Sequence, residues 1–485
     1  MNPSRLTFTF FETDIFFKII SLLIVSSLFI SCSNSYIDEI DRSGGYNYTP
    51  GFPEVRLVTA GIVDELTDST KIIITGEIVY GSLVFKKVED SFEATILIDV
   101  QILDQEEEAN IIDSKSYNIV ISEKSNDLVF SQEEYLFLKS YSSEPGNYLV
   151  NYSVTDLSTN RQTVRKSEVF IPDPFDPVSN ITNIQVSTKD ESINTGYEPV
   201  TTYDISNHSD SVRFVFQVTN NKAEEPMTIN TRLLKFRSDT TIARPMSYPN
   251  YNNSNIAYRG IYYDKYEVIN SSRRIISQSG SVSIEFIFPN LSRGNYRFEV
   301  SSDLDDENKL FKARDFSVKS MHYPTLKTPR ELAAPLYYLM SKKEYKNLLS
   351  IEDDSEMKKE IDRFWLKNIK NSRKAQNVIS LFYQRVEEAN KQFSNFKEGW
   401  KTDMGMVYIL FGPPWYSMSS LDKTQWAYSY NFNEFETNFY FFSPKLNTKY
   451  FPFDSYLLAR DQQYFSIQYQ QIQKWLNGSI VRSNL

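Results

Sequence analysis

The chain has 485 residues, 41% apolar and 24% charged, a globular balance that points to roughly two to four domains. Its formal net charge of −10 and the lack of a basic stripe exclude nucleic acid as the main partner. A lone cysteine, Cys32, excludes an intrachain disulfide and a cysteine-built zinc site, and only His208 and His322 are there for imidazole chemistry.

Both histidines sit in unpromising places: His208 in the turn-like "SNHSD" and His322 in the linker-like "HYP". A catalytic triad, a histidine-rich metal site or a thiol–imidazole dyad would have to use one of them. The expectation is therefore no catalytic residue, no metal and no cofactor. Tyr and Phe are abundant, 32 and 34 residues, which suits β-strands and half-buried surfaces.

At the amino terminus, Lys18 precedes "IISLLIVSSLFI" and then "SCSNS". That apolar run fits a signal-peptide core and is too short to span a bilayer comfortably. Ser31 directly before Cys32 completes a pattern, "LFISC", that resembles a bacterial lipobox. The resemblance implies cleavage before Cys32, acylation of Cys32 with palmitate-type chains, and an outer-membrane tether, with Ser33 favouring that membrane. Phe29 stands where leucine is usual, and a plain signal peptide with an incidental cysteine is the alternative. Residues 1–31 are read as the lipoprotein signal peptide and 32–52 as a flexible polar tether.

From Val55 the pattern is strand-like: "KIIITGEIVY" and "FEATILIDVQIL" are β-branched runs between polar turns. Further on, Val212, Phe214, Phe216 and Val218 alternate with polar neighbours, as do Val282, Ile284, Phe286 and Phe288. Period two is the mark of a strand with one face on a core and the other on water. An internal repeat links the two regions. "GNYLVNYSVTDL" from Gly146 matches "GNYRFEVSSDLD" from Gly294, and each leaves on a second strand. The prediction is two immunoglobulin- or fibronectin-like β-sandwiches, residues 53–174 and 178–320, joined by the proline-rich "IPDPFDP".

Two surface features carry competing readings. The tyrosine-rich stretch 248–266 reads either as a platform for a sugar or a protein partner, or as a long loop packed on its own domain. "DLDDEN" at 303–308 lacks the glycine and ligand spacing of a calcium loop and reads as an acidic turn. The acidic runs "QEEEAN" and "IEDDSE" read as solvated loops or helix N-termini.

Beyond "HYPTLKTPRE" the period becomes helical. Met357, Ile361, Phe364 and Trp365 share one face, as do Val378, Leu381, Phe382, Val386, Ala389 and Phe393. "GMVYILFG", "TQWAYSY" and "TNFYFFSP" then read as strands. Three helices followed by a small antiparallel sheet predict an α+β domain over residues 328–485.

This region resembles the GWxTD domain of envelope proteins from Bacteroidetes-type bacteria. The motif is complete: Gly399, Trp400, Thr402, Asp403 and Gly405, then Gly412, Pro413 and Pro414. Phe364-Trp365 and Ala389-Asn390 fit as well. The resemblance implies a lipoprotein with sandwiches ahead of the motif domain, and it supplies no catalytic residue. Read from the residues alone, the motif is a helix-to-strand turn. Gly399 serves as a helix C-cap with positive φ, and Trp400 locks the helix to the sheet. Asp403 and Thr402 bond the turn, Gly405 adopts a left-handed conformation, and "GPP" ends the strand. A hydrolase built on Asp403 would need a second carboxylate, for which Glu398 and Asp422 are the neighbours in sequence. The functional expectation is a lipid-anchored, non-enzymatic binding or scaffold subunit of an outer-membrane complex for protein export or barrel assembly. A glycan-binding or glycan-processing surface lipoprotein is the alternative.

Overall fold

A computed structural model describes residues 35–37 (backbone only), 49, 51–105, 110–124, 133–176, 178–190, 196–205, 209–221, 226–248, 260–303, 309–420, 423–429, 438–443 and 455–482. The signal-peptide segment, Cys32, His208, residues 249–259 of the tyrosine-rich stretch and residues 304–308 of the acidic turn lie outside these residues.

Strand β1, Ser35–Ile37, falls within the expected tether and joins a sheet of the second sandwich, described below. The first sandwich comprises β2 (Val55–Val63), β3 (Thr70–Val79), β4 (Lys86–Val88), β5 (Ser91–Asp104), β6 (Ile111–Glu123), β7 (Glu134–Ser142), β8 (Gly146–Asp156) and β9 (Arg161–Ile171). One sheet runs β2-β3-β7; the other runs β4-β5-β8-β9, with β6 also on β5. Ala94, Ile96, Ile98, Val100 and Ile102 of β5 are all buried, every second residue, because pleating sends alternate side chains to the core. They meet Val150, Tyr152 and Val154 of β8 and Ile72, Ile74 and Ile78 of β3 in one apolar cluster.

The second sandwich uses β10 (Asn180–Ile181), β11 (Gln185–Lys189), β12 (Glu198–Pro199), β13 (Asp204–Ile205), β14 (Ser211–Asn220), β15 (Met227–Ser238), β16 (Ile261–Ile276), β17 (Gly280–Pro289), β18 (Gly294–Ser302) and β19 (Phe311–Val318). One sheet is ordered β1-β19-β18-β15-β16, with β13 also on β19. The other is β10-β14-β11-β12, with β17 on β14. Both β1 and β13 run parallel to β19. Aromatic rings fill this core, with Phe214 stacked on Phe298 at 4.5 Å between centroids and tilted against Phe316 at 5.4 Å. Each such buried phenylalanine contributes about 2–3 kcal/mol of transfer free energy.

The Gly-Asn-Tyr repeat is the same device used twice. It opens the hairpin β8–β9 in the first sandwich and β18–β19 in the second. Tyr148 donates its hydroxyl to the Glu144 carbonyl at 2.8 Å, and Tyr296 donates to the Ser292 carbonyl at 2.5 Å. A tyrosine at a strand start bonding the backbone a few residues upstream is the corner that closes immunoglobulin-like sandwiches.

The carboxy-terminal domain holds α1 (Pro329–Ala333), α2 (Lys342–Leu349), α3 (Asp354–Asn368), α4 (Ser372–Phe393), α5 (Asp403–Phe411), the sheet β20-β21-β22-β23 (Tyr416–Ser419, Lys423–Ala427, Asn438–Phe442, Leu457–Leu458) and α6 (Tyr464–Leu476). Caps set the helix starts. Thr328 with Glu331 and Ser341 with Glu344 form capping boxes, while Asp353 and Asn371 accept from Glu356 and Lys374 backbone amides. "IEDDSE" is thus a helix N-terminus.

The expected order of helices before a small antiparallel sheet is present, with one correction. Most of "GMVYILFG" is the helix α5. Met406, Val407, Ile409 and Leu410 are fully buried around its whole circumference. A helix apolar on all sides shows no 3.6-residue stripe, so its sequence looks like a buried strand.

Candidate functional site

The motif lies where α4 ends and α5 begins. Helix α4 stops at Phe393, and Gly399–Lys401 forms a single 3-10 turn. Gly399 is not a positive-φ C-cap. It is pressed on α4, where a Cβ would stand 2.0 Å from the Ala389 carbonyl oxygen. Gly405 is likewise helical and not left-handed, with a Cβ there falling 2.0 Å from the Gly399 oxygen. Both glycines exist for close approach of backbone to backbone. Gly412 does adopt positive φ, +86°, and ends α5 before Pro413 and Pro414.

Asn390 organises the turn from inside α4. Its amide oxygen accepts from Trp400 N at 3.1 Å, and its amide nitrogen donates to the Pro324 carbonyl at 2.9 Å. The "HYP" linker is thereby fastened to the motif, with Tyr323 donating to the Asn390 carbonyl at 2.9 Å. His322 pairs with Glu331 through Nδ1 at 3.0 Å, a linker contact as its sequence setting predicts.

Trp400 is buried, edge-on to Tyr338, whose hydroxyl donates to the Trp400 carbonyl at 2.7 Å. Its indole Nε1 donates to Glu398 at 3.1 Å. Glu398 also pairs with Lys401 at 2.8 Å and with Arg293, from the β17–β18 turn of the second sandwich. Burial alone would raise the Glu398 carboxyl, but Lys401 and Arg293 outweigh it and hold it at about 2.

Thr402 is the N-cap of α5. Its Oγ1 accepts from Gly405 N at 3.0 Å and donates to the Gly399 carbonyl at 2.7 Å. Asp403 does not bond its own turn, as the sequence reading had it. Its carboxylate takes both guanidinium arms of Arg460, each at 2.6 Å, and the Leu458 amide at 2.8 Å. Arg460 continues to the Pro245 and Arg244 carbonyls at 3.2 Å, on a segment of the second sandwich that also lends Ala243 and Met246 to the carboxy-terminal core. Sequence reasoning missed Arg460, which lies 57 positions from Asp403 in a segment with no periodic signal.

The far end of α5 is closed as thoroughly. Arg385, stacked over Trp475 at 5.2 Å, donates to the Ile409 carbonyl at 3.3 Å, while Gln471 and the Trp475 indole donate to the Leu410 carbonyl at 2.8 and 3.0 Å. Gly412 has no side chain because one would meet Arg385 at 2.5 Å. Of the two carboxylates considered as partners for Asp403, Glu398 is engaged as above, and Asp422 lies outside the described residues.

The family model described as the GWxTD domain matches residues 298–477. The chain carries a GWxTD domain. No curated protein matches the chain. Among solved structures, red sea bream transglutaminase is 10% identical with a TM-score of 0.17, over 54% of this chain and 31% of that one. Trypsin-activated alpha-2-macroglobulin from Escherichia coli is 13% identical with a TM-score of 0.16, over 56% and 17%. This chain spans less than a third of either structure, and scores that low carry no argument. The GWxTD match begins at Phe298, inside β18, so the last hairpin of the second sandwich belongs to the matched unit. Buried ties fasten that hairpin to its surroundings. Lys319, just past β19, donates to the Asn395 carbonyl at 2.7 Å and pairs with Asp204 at 3.4 Å.

Elsewhere in the described residues, no group of three His, Cys, Asp or Glu is placed to hold a metal ion, and no helix is long and apolar enough to cross a membrane. Of the tyrosine-rich stretch, Tyr263 and Tyr266 lie on strand β16 and pack edge-on against Phe236 at 4.9 and 6.2 Å. Asp303 of the acidic turn accepts from the Thr228 amide at 3.1 Å.

Proposed function

We propose that the protein is an outer-membrane lipoprotein, anchored by acyl chains on Cys32, that acts as a non-catalytic binding or scaffold subunit of a cell-envelope assembly for protein export or outer-membrane protein assembly. The observation that carries the non-catalytic part is the fate of Asp403. The motif's one carboxylate is neutralised by a buried guanidinium and a backbone amide, which leaves it a structural strut. Trp400 and Thr402 are likewise consumed in packing and capping. The lipobox-like "LFISC" supports the anchor, since multiple acyl chains hold a protein stably on a bilayer.

Purification of the full chain in mild detergent tests both parts. A membrane-protein partner should co-purify in fixed ratio, and labelled palmitate should appear on the wild type but not on Cys32→Ser. A solitary unacylated monomer overturns the reading.

A further inference from the structure

A second buried charge cluster lies where three parts of the molecule meet. Arg56 of β2 faces three carboxylates of the first sandwich: Glu54 at 3.2 Å, Glu77 of β3 at 3.5 Å, and Glu134 of β7. Glu77 also accepts the hydroxyl of Thr201, from the second sandwich. Glu54 reaches Lys391 of α4, in the GWxTD domain, at 3.6 Å. Three carboxylates thus face two cations, an excess of one negative charge in a site where Glu54, Glu77 and Thr201 are each at most 7% exposed.

Among the described residues, charges of both signs surround the cluster, and Arg165 of β9 donates to the Val55 carbonyl at 2.9 Å. Arg314 of β19 donates to the Val200 and Thr202 carbonyls on either side of Thr201, at 3.4 and 3.5 Å. Glu387 of α4 stands by Lys391 and competes for its ammonium group. Glu133 faces Tyr80, and the Asp204–Lys319 pair lies apart on β13 and β19. Burying an uncompensated charge is costly, and a proton on one carboxyl removes the cost.

The remaining contacts between the sandwiches include a clasp with no titratable group. The Gln217 side chain accepts from Val63 N at 2.8 Å and donates to the Val63 carbonyl at 2.7 Å. We propose that the Glu54–Arg56–Glu77–Glu134 cluster is a proton-operated latch: one proton on its carboxylates keeps the first sandwich docked on Thr201 and α4, and losing that proton to solvent frees the sandwich to swing about the Val63–Gln217 clasp. Burial and the neighbouring Glu134 push the Glu77 carboxyl up to about 7 despite Arg56, which agrees with a proton held there. The docked value lies above the ordinary 4.5, so docking is strongest at low pH. The docking constant then falls by up to about tenfold per pH unit until the docked value is passed.

Spin-label distances in the full chain test this. With Cys32→Ser as background, labels are attached at Lys166→Cys on β9 and Lys265→Cys on β16. The distance distribution should be narrow at pH 5 and broad at pH 8, while Glu77→Gln should keep it narrow at both. Glu134→Gln, at a more exposed position, removes the excess charge without touching the Thr201 contact and should also hold the molecule closed at pH 8. A wild-type distribution that is the same at both pH values overturns the latch. So does broadening at pH 8 that persists in whichever of the two variants folds.

Discussion

Asp403 and Arg460 form a two-pronged ion pair, 2.6 Å at each contact, in which the guanidinium side chain is 0% and the carboxylate 4% exposed. The pair joins the first turn of α5 to the end of β23 and, through Nε and Nη2 of Arg460, to the Pro245 and Arg244 carbonyls of the second sandwich. The name-giving aspartate of the motif is thus a tie across three chain segments.

Removing one partner leaves the other charged and buried. Asp403→Ala or Arg460→Ala should cost about 3–5 kcal/mol by denaturant or thermal unfolding. The paired change Asp403→Leu with Arg460→Met should recover much of that loss, because no orphaned charge remains. A catalytic aspartate would behave otherwise: Asp403→Asn would keep full stability.

Gly399→Ala should be more disruptive than its one added carbon implies. Its Cβ would lie 2.0 Å from the Ala389 oxygen and 2.8 Å from Asn390 Cα, both backbone atoms that cannot swing aside. Overpacking of this kind costs roughly 1–3 kcal/mol or more. Comparison with Gly280→Ala separates clash from conformational strain, since nothing lies within 4 Å of a Cβ at Gly280, where φ is +109°. Unfolding midpoints should fall further for Gly399→Ala.

Thr402→Ala removes the side-chain acceptor at the start of α5 and should destabilise by about 1 kcal/mol, with Thr402→Ser close to wild type. Loss of amide protection in hydrogen exchange should centre on Gly405 and its neighbours in the first turn.

Glu398 gives a pH signature. Its folded value, about 2, lies below the ordinary 4.5. Its contribution is therefore complete above about 4.5 and disappears as pH falls towards 2, a loss of roughly 2–3 kcal/mol. Glu398→Gln should be less stable than wild type at pH 7, with the gap narrowing steadily below pH 4.5. Equilibrium unfolding across that range reads the difference directly; a constant gap would show that Lys401 and Arg293 do not act through charge.

Much of this protein was determined by local sequence. Alternating apolar residues such as Ala94 to Ile102 make strands because the pleat has period two. The repeated Gly-Asn-Tyr marks two like hairpins, and Thr328-Pro-Arg-Glu331 and Ser341-Lys-Lys-Glu344 fix helix starts, since capping needs residues only three apart. Trp400 and Thr402 were legible as residues of a turn, but the roles read for Gly399 and Gly405 were not, because close backbone approach is decided by tertiary packing. Tertiary structure alone decided that residues 403–411 are helix, because burial on every side erases the periodicity that would have announced it. It also decided that Asp403 answers to Arg460, and that Glu77 meets Thr201 across 124 positions. Charge pairing depends on distance through space, and one carboxylate in a sequence gives no hint of which of many cations, far along the chain, folding will bring to it.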